Sequence, residues 1–188
     1  MKKATICLIA ITFFVGCRSA ATPVSISKTP INSRRMPSTN LPLPPQKPVE
    51  ELSWTFIDND TIKKLGDYKG KVLVLDFWAT YCPPCIKEIP HLNKLKKQYG
   101  ANGLEIIGLN VGGEDDKPEI PDFRKRLEID YPLAFPEDAV ISTLMGSDDR
   151  IPQTVIFDRD GKLVEHFVSY DETVSKQIDE AIKEQFPN

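Results

Sequence analysis

The chain has 188 residues, 40% of them hydrophobic and 27% charged, and a formal net charge of −3. That composition suits one globular domain with additions and excludes a chain disordered throughout. The charge is mild and no basic stripe is interleaved with aromatics, which argues against a nucleic-acid partner.

From the N-terminus, Lys2 and Lys3 precede an apolar run from Ala4 to Val15, then Gly16 and Cys17. A charged start, a short apolar core and small residues before a cut predict a secretory signal peptide over residues 1–16. The run is too short to span a hydrocarbon core of about 30 Å at about 1.5 Å per helical residue. Val15-Gly16-Cys17 resembles a bacterial lipobox, with Phe14 where a leucine is usual. The resemblance implies that Cys17 is lipidated and becomes the first mature residue. The chain would then be exported and anchored on the extracytoplasmic side of a bacterial membrane, the periplasmic face where there are two membranes. Residues 17–49 read as a Pro/Ser/Thr-rich tether, since seven of the sixteen prolines lie between Pro23 and Pro48 and no helical or strand period survives there.

The folded part is expected over 50–188. Trp54 to Ile57 and Thr61 to Leu65 alternate as short strands around the turn-forming Asp58-Asn59-Asp60. Val72 to Trp78 is almost unbroken apolar sequence, the mark of a strand buried on both faces at the centre of a sheet. From Pro83 to Tyr99 the apolar residues Ile86, Ile89, Leu92 and Leu95 recur at helical steps, with Lys94, Lys96 and Lys97 on other faces as a solvated surface. Pro90, inside that helix, is expected to bend it. Leu104 to Val111 predicts another strand, closed by Gly112-Gly113, followed by short helices around Ile120–Leu127 and Val140–Met145. Thr154–Phe157 and Leu163–Tyr170 flank an Asp-Gly hairpin signal, and Asp171 caps a last helix carrying Val174, Ile178, Ile182 and Phe186. The order predicts an α/β fold, a central mixed β-sheet with helices on both faces.

The chemistry gathers at Trp78-Ala79-Thr80-Tyr81-Cys82-Pro83-Pro84-Cys85. Two cysteines two residues apart, between a strand and a helix, read as a redox dithiol. A cysteine at a helix N-terminus meets unpaired amides and the positive end of the helix dipole, which favour the thiolate that attacks disulfides. Cys82 is the expected nucleophile, exposed at the helix start, and Cys85 the resolving thiol facing inward. Half of a zinc site is the alternative. Zinc needs about four ligands, and only His91 and His166 remain in the domain, neither in a partner motif; both read as surface residues, and no metal is expected. Pro83 and Pro84 remove two amides that would otherwise solvate the Cys82 thiolate, so its pKa is expected to be lowered only moderately. Asp76 breaks a buried apolar run, so its carboxyl should have a raised pKa and be able to pass a proton to or from Cys85.

These residues resemble the thioredoxin superfamily, specifically the membrane-tethered TlpA/ResA-type thiol–disulfide oxidoreductases. The anchors are Asp76-Phe77-Trp78-Ala79-x-x-Cys82-Pro83-Pro84-Cys85 with Lys87-Glu88-Ile89-Pro90, and Ile151-Pro152-Gln153-Thr154 before the hairpin. The resemblance implies a thioredoxin-like fold in which the strand at Leu104 and its following helix form the TlpA/ResA-type insertion. It implies a cis bond before Pro152, with the Ile151 backbone presented to an extended substrate segment. Glu88 is implied as a group that tunes the thiols, against the plain reading of a solvated first-turn glutamate. Trp78 and Tyr81 are expected to shape the substrate groove. The implied activity is protein-disulfide exchange in the reducing direction, with exported proteins such as apocytochrome c as clients. Electrons would come from a membrane dithiol donor, no organic cofactor is needed beyond the Cys82–Cys85 disulfide, and the chain would act as a monomer. An oxidant or isomerase is the enzymatic alternative. A Sco-like copper-delivery module would want C-x-x-x-C, one residue more than is present.

Overall fold

In a computed structural model, residues 47–187 are described. The expected signal peptide, Cys17 and nearly all of the tether lie outside the described residues. Seven strands form one mixed sheet: β1 (Ser53–Phe56), β2 (Ile62–Lys64), β3 (Val72–Trp78), β4 (Leu104–Asn110), β5 (Leu133–Pro136), β6 (Gln153–Phe157) and β7 (Leu163–Val168). Their spatial order is β2-β1-β5-β4-β3-β6-β7. The β3–β4 and β4–β5 pairs are parallel and the others antiparallel.

Every residue of β3 is buried, as its unbroken apolar sequence requires. Its side chains alternate between two cores. Val72 and Val74 face α1 (Pro83–Tyr99), α2 (Ile120–Arg126) and α4 (Glu172–Glu184), meeting Ile89, Leu92, Phe123 and Ile178. Leu73, Leu75 and Phe77 face the other way, onto Val140 and Met145. Those two belong to α3 (Asp138–Val140) and the π-helical turn Ile141–Met145 that continues it. Each such fully buried aliphatic side chain contributes about 1.5–3 kcal/mol of transfer free energy. Among the described residues no helix is long and apolar enough to cross a membrane.

Two expectations need correction. The strand at Leu104 is no appendage: β4 pairs with β3 along all seven residues. The sequence reading also lacks β5, a four-residue strand that wedges between β4 and β1. Helix α1 runs from Pro83 to Tyr99 with Pro90 inside it; Pro90 is exposed, so its ring meets solvent. His91 is not a surface residue. Its side chain is 9% exposed, with Nε2 2.9 Å from Asp179 Oδ1 on α4, because Tyr170 and α4 cover this side of α1.

Candidate active site

Strand β3 ends at Trp78 and the chain turns through Ala79, Thr80 and Tyr81 into α1. Cys82 is the N-cap of α1 and the two prolines are its first two residues. Proline is at home there, since first-turn amides have no partner within the helix. Cys82 and Cys85 form a disulfide with Cα atoms 5.3 Å apart. The Cys85 amide donates to Cys82 Sγ at 3.2 Å, and among the described residues this is the one hydrogen bond to that sulfur. Cys85 is buried, as expected, but so is Cys82, which is only 4% exposed. The expectation of an exposed Cys82 is corrected for the oxidised form, in which the sulfur is turned onto Cys85 and the start of the helix.

Behind the dithiol stand two buried carboxyls. Asp76 lies on the α1 side of β3, opposite Gly108 of β4 and Thr154 of β6. Burial pushes its carboxyl up from 3.8 to about 7, partly offset by the Tyr131 hydroxyl, which donates to Oδ2 at 3.4 Å. Glu88, one turn after Cys85, is 1% exposed, so the solvated first-turn reading fails. Thr154 Oγ1 donates to Glu88 Oε1 at 2.5 Å. Burial, then the neighbouring Asp76 charge, holds the Glu88 carboxyl well above its usual range. Asp76 Oδ1 and Glu88 Oε2 are buried without a partner among the described residues. A carboxyl pair so desolvated holds protons that solvated carboxyls would release. Tyr131, whose hydroxyl is pushed far up by burial and by both acids, stays a donor.

Neither Tyr131 nor Thr154 has a role legible in the sequence, although Thr154 ends the Ile151-Pro152-Gln153-Thr154 anchor, because each reaches the pair from a distant segment. Gly108 explains how Tyr131 fits. A Cβ there would meet Leu133 Cδ2 at 2.6 Å, Trp78 Nε1 at 2.9 Å and Tyr131 Cε2 at 3.1 Å. A third omission is Asp116, 3% exposed, which accepts hydrogen bonds from the Thr80 amide at 3.1 Å, from the Thr80 hydroxyl and from Asn110 Nδ2 at 2.6 Å. In sequence it is one of three acidic residues after Gly112-Gly113, indistinguishable from a solvated run.

The bond between Ile151 and Pro152 is cis. Continued by one residue, the β6–β3 register brings Pro152 beside Trp78, at the end of β3 that leads to the dithiol. Among the described residues neither the amide nor the carbonyl of Ile151 makes a hydrogen bond, whereas the Pro152 carbonyl accepts from Ser169 at 2.8 Å. Tyr81 is 66% exposed. Trp78 is not open to a partner: it is 1% exposed and stacks on Phe123 at 5.0 Å between centroids, so it supports the site from beneath and does not line its surface. His166 is exposed and lies 2.8 Å from Gln153 Oε1.

The Redoxin family model matches residues 49–182. The thiol-disulfide oxidoreductase ResA of Bacillus thuringiensis subsp. konkukian is 32% identical over 124 residues, covering 66% of this chain and 69% of that protein. Among solved structures, a DsbF homologue from Corynebacterium diphtheriae superposes with a TM-score of 0.63 at 26% identity, over 73% of this chain and 85% of the other. A thioredoxin family thiol:disulfide interchange protein from Chlorobium tepidum gives 0.60 at 24% identity, over 74% and 97%.

Proposed function

The chain belongs to the Redoxin family and is a ResA-like thiol-disulfide oxidoreductase of the thioredoxin superfamily, and from that premise we propose that it reduces disulfides of exported proteins outside the cytoplasm. The observation that carries the direction is the single donor at Cys82 Sγ among the described residues, the Cys85 amide. Strong oxidants of this kind owe their potential to a stabilised reduced form. Here the two prolines withhold amides and two buried carboxyls stand behind, so the thiolate gains little and the disulfide is favoured.

In the reaction the Cys82 thiolate attacks one sulfur of the client disulfide. A Cys82–client bond forms, and the other client sulfur leaves as a thiolate that takes a proton from water. Cys85 then gives up its proton and attacks Cys82 Sγ, which releases the second client thiolate and closes the Cys82–Cys85 disulfide. Cys85 is buried, so its proton needs an acceptor inside the protein. Asp76, held at about 7, serves at neutral pH directly or through a water, and Glu88 holds its own proton beside it. The free backbone of Ile151 and the exposed ring of Tyr81 receive the extended client segment. A membrane dithiol supplies the two electrons that reopen the disulfide. Apocytochrome c is the client that the family resemblance suggests, and the protein acts as a monomer.

Equilibrating the dithiol against a glutathione or thioredoxin couple tests the direction. A potential near about −270 mV is expected, and one near about −120 mV would make the protein an oxidant. The site is held to the membrane by lipid on Cys17, with residues 17–49 as the spacer. Cys17→Ser is therefore expected to move the chain from the membrane fraction to the soluble one; unchanged partition refutes the anchor.

A further inference from the structure

Asp116 belongs to the segment between β4 and β5, in the 3-10 turn Glu114–Glu119, yet its side chain is buried against Thr80 of the cysteine loop. All three groups bonded to it are donors: the Thr80 amide, the Thr80 hydroxyl and the Asn110 side-chain amide. A carboxylate uses its acceptor capacity on such a set with nothing left to donate, which is the arrangement for a buried anion. The cradle around it is built tightly. Asn110 Oδ1 in turn accepts from the Gly112 amide at 3.3 Å. A Cβ on Gly112 would sit 2.3 Å from Asp116 Oδ2, so the carboxyl occupies the space a side chain would need. Asn110 is itself the register partner of Trp78, the last residue of β3. The segment after β4 therefore grips the loop two residues before Cys82.

We infer that Asp116 is a positioning residue of the dithiol: it pins Thr80, so that Cys82 is held for attack, and as a fixed anion it opposes a second negative charge on Cys82 Sγ. Two effects follow. The loop cannot drift while Cys82 forms and breaks its bonds, which preserves a reactive geometry. The Asp116 charge, bonded to the amide two residues before Cys82, disfavours a like charge on the thiolate, which favours the disulfide and makes the dithiol the stronger reductant. This inference rests on the thiol–disulfide chemistry of the site and not on the identity of any client or on the physiological direction.

The test uses the full chain and readouts of the dithiol alone, so its failure is distinct from failure of the proposed direction. Asp116→Asn keeps the size and removes the charge. Its equilibrium with glutathione is expected to move about tenfold toward the dithiol, a rise of about 30 mV. Its thiolate absorbance in a Cys85→Ser background is expected to titrate at lower pH than that of the parent. A loss of thermal stability with both readouts unmoved would reduce Asp116 to a structural role and overturn the inference. Thr80→Val gives a second reading should the first variant not fold. It keeps the amide bond and loses the hydroxyl, and its thiolate is expected to attack a small model disulfide about tenfold more slowly at high pH, with Thr80→Ser restoring the rate. An unchanged rate in Thr80→Val would also overturn it.

Discussion

Burial of the Asp76 carboxyl among the aliphatic side chains of β3 and α1 disfavours its anion, and Tyr131 compensates weakly from 3.4 Å. The consequence is a stability that depends on pH with a definite sign. The carboxyl's value is 3.8 when solvated and about 7 in the fold, so the folded state holds the proton more tightly than the unfolded state does. The stability this contributes is fully present below the unfolded value and is lost as pH rises through the folded one. Glu88, pushed up in the same direction by burial and by Asp76, does not cancel that slope. Asp76→Asn, which cannot ionise, should therefore gain on the parent between pH 4 and pH 8, by up to about 4 kcal/mol from the linkage relation. Urea unfolding of the oxidised protein at several pH values measures this. Parallel curves for the two proteins would mean that the carboxyl is solvated. The same substitution removes the proton acceptor proposed for Cys85, and closure of the disulfide at neutral pH is expected to slow by about a hundredfold.

At the scale of elements, legibility followed the length of the pattern. Strand β3 and helix α1 were read with the bounds they have, because a seven-residue run apolar but for Asp76 and a seventeen-residue helical repeat each leave little choice of period. The α4 cap was legible for a local reason: Asp171 Oδ1 accepts from Thr173 and Val174 at 2.8 and 2.9 Å, a bond within three residues. Strand β5 was not legible. It is four residues long, ends in Pro136, and exists because β4 and β1 pair with it from either side. The site divided in the same way. Asp76 announced itself by breaking an apolar run, and the cysteines by their spacing. Tyr131, Thr154 and Asp116 act across 36 to 66 residues of sequence, and no local signal separates them from ordinary tyrosine, threonine or surface aspartate. Glu88 fell between these cases, its position given by the helix and its burial by β6.

Across the described residues, the sheet gathers the dithiol and the buried carboxyls at the C-terminal end of β3 and leaves the Tyr81 ring exposed there. The dithiol follows the C-terminal end of β3, beside the parallel strand β4, where open α/β sheets place their ligands. Cys82 is almost covered in the oxidised form, so a client held by its disulfide alone would have little purchase. What the surface offers instead is the free backbone of Ile151 and the Tyr81 ring, 66% exposed and unused by the core. An exposed aromatic of that kind adds contact area to a protein partner and nothing to a small one. Tyr81→Ala is therefore expected to leave the thermal midpoint and kcat unchanged and to raise KM for a disulfide-bonded protein about tenfold, the cost of one anchoring aromatic. Reduction of a small aromatic disulfide should be unaffected. Equal losses on both substrates would place the tyrosine in the chemistry of the dithiol, whereas a loss confined to the protein substrate puts the client across Tyr81, on the face that Ile151 leaves open.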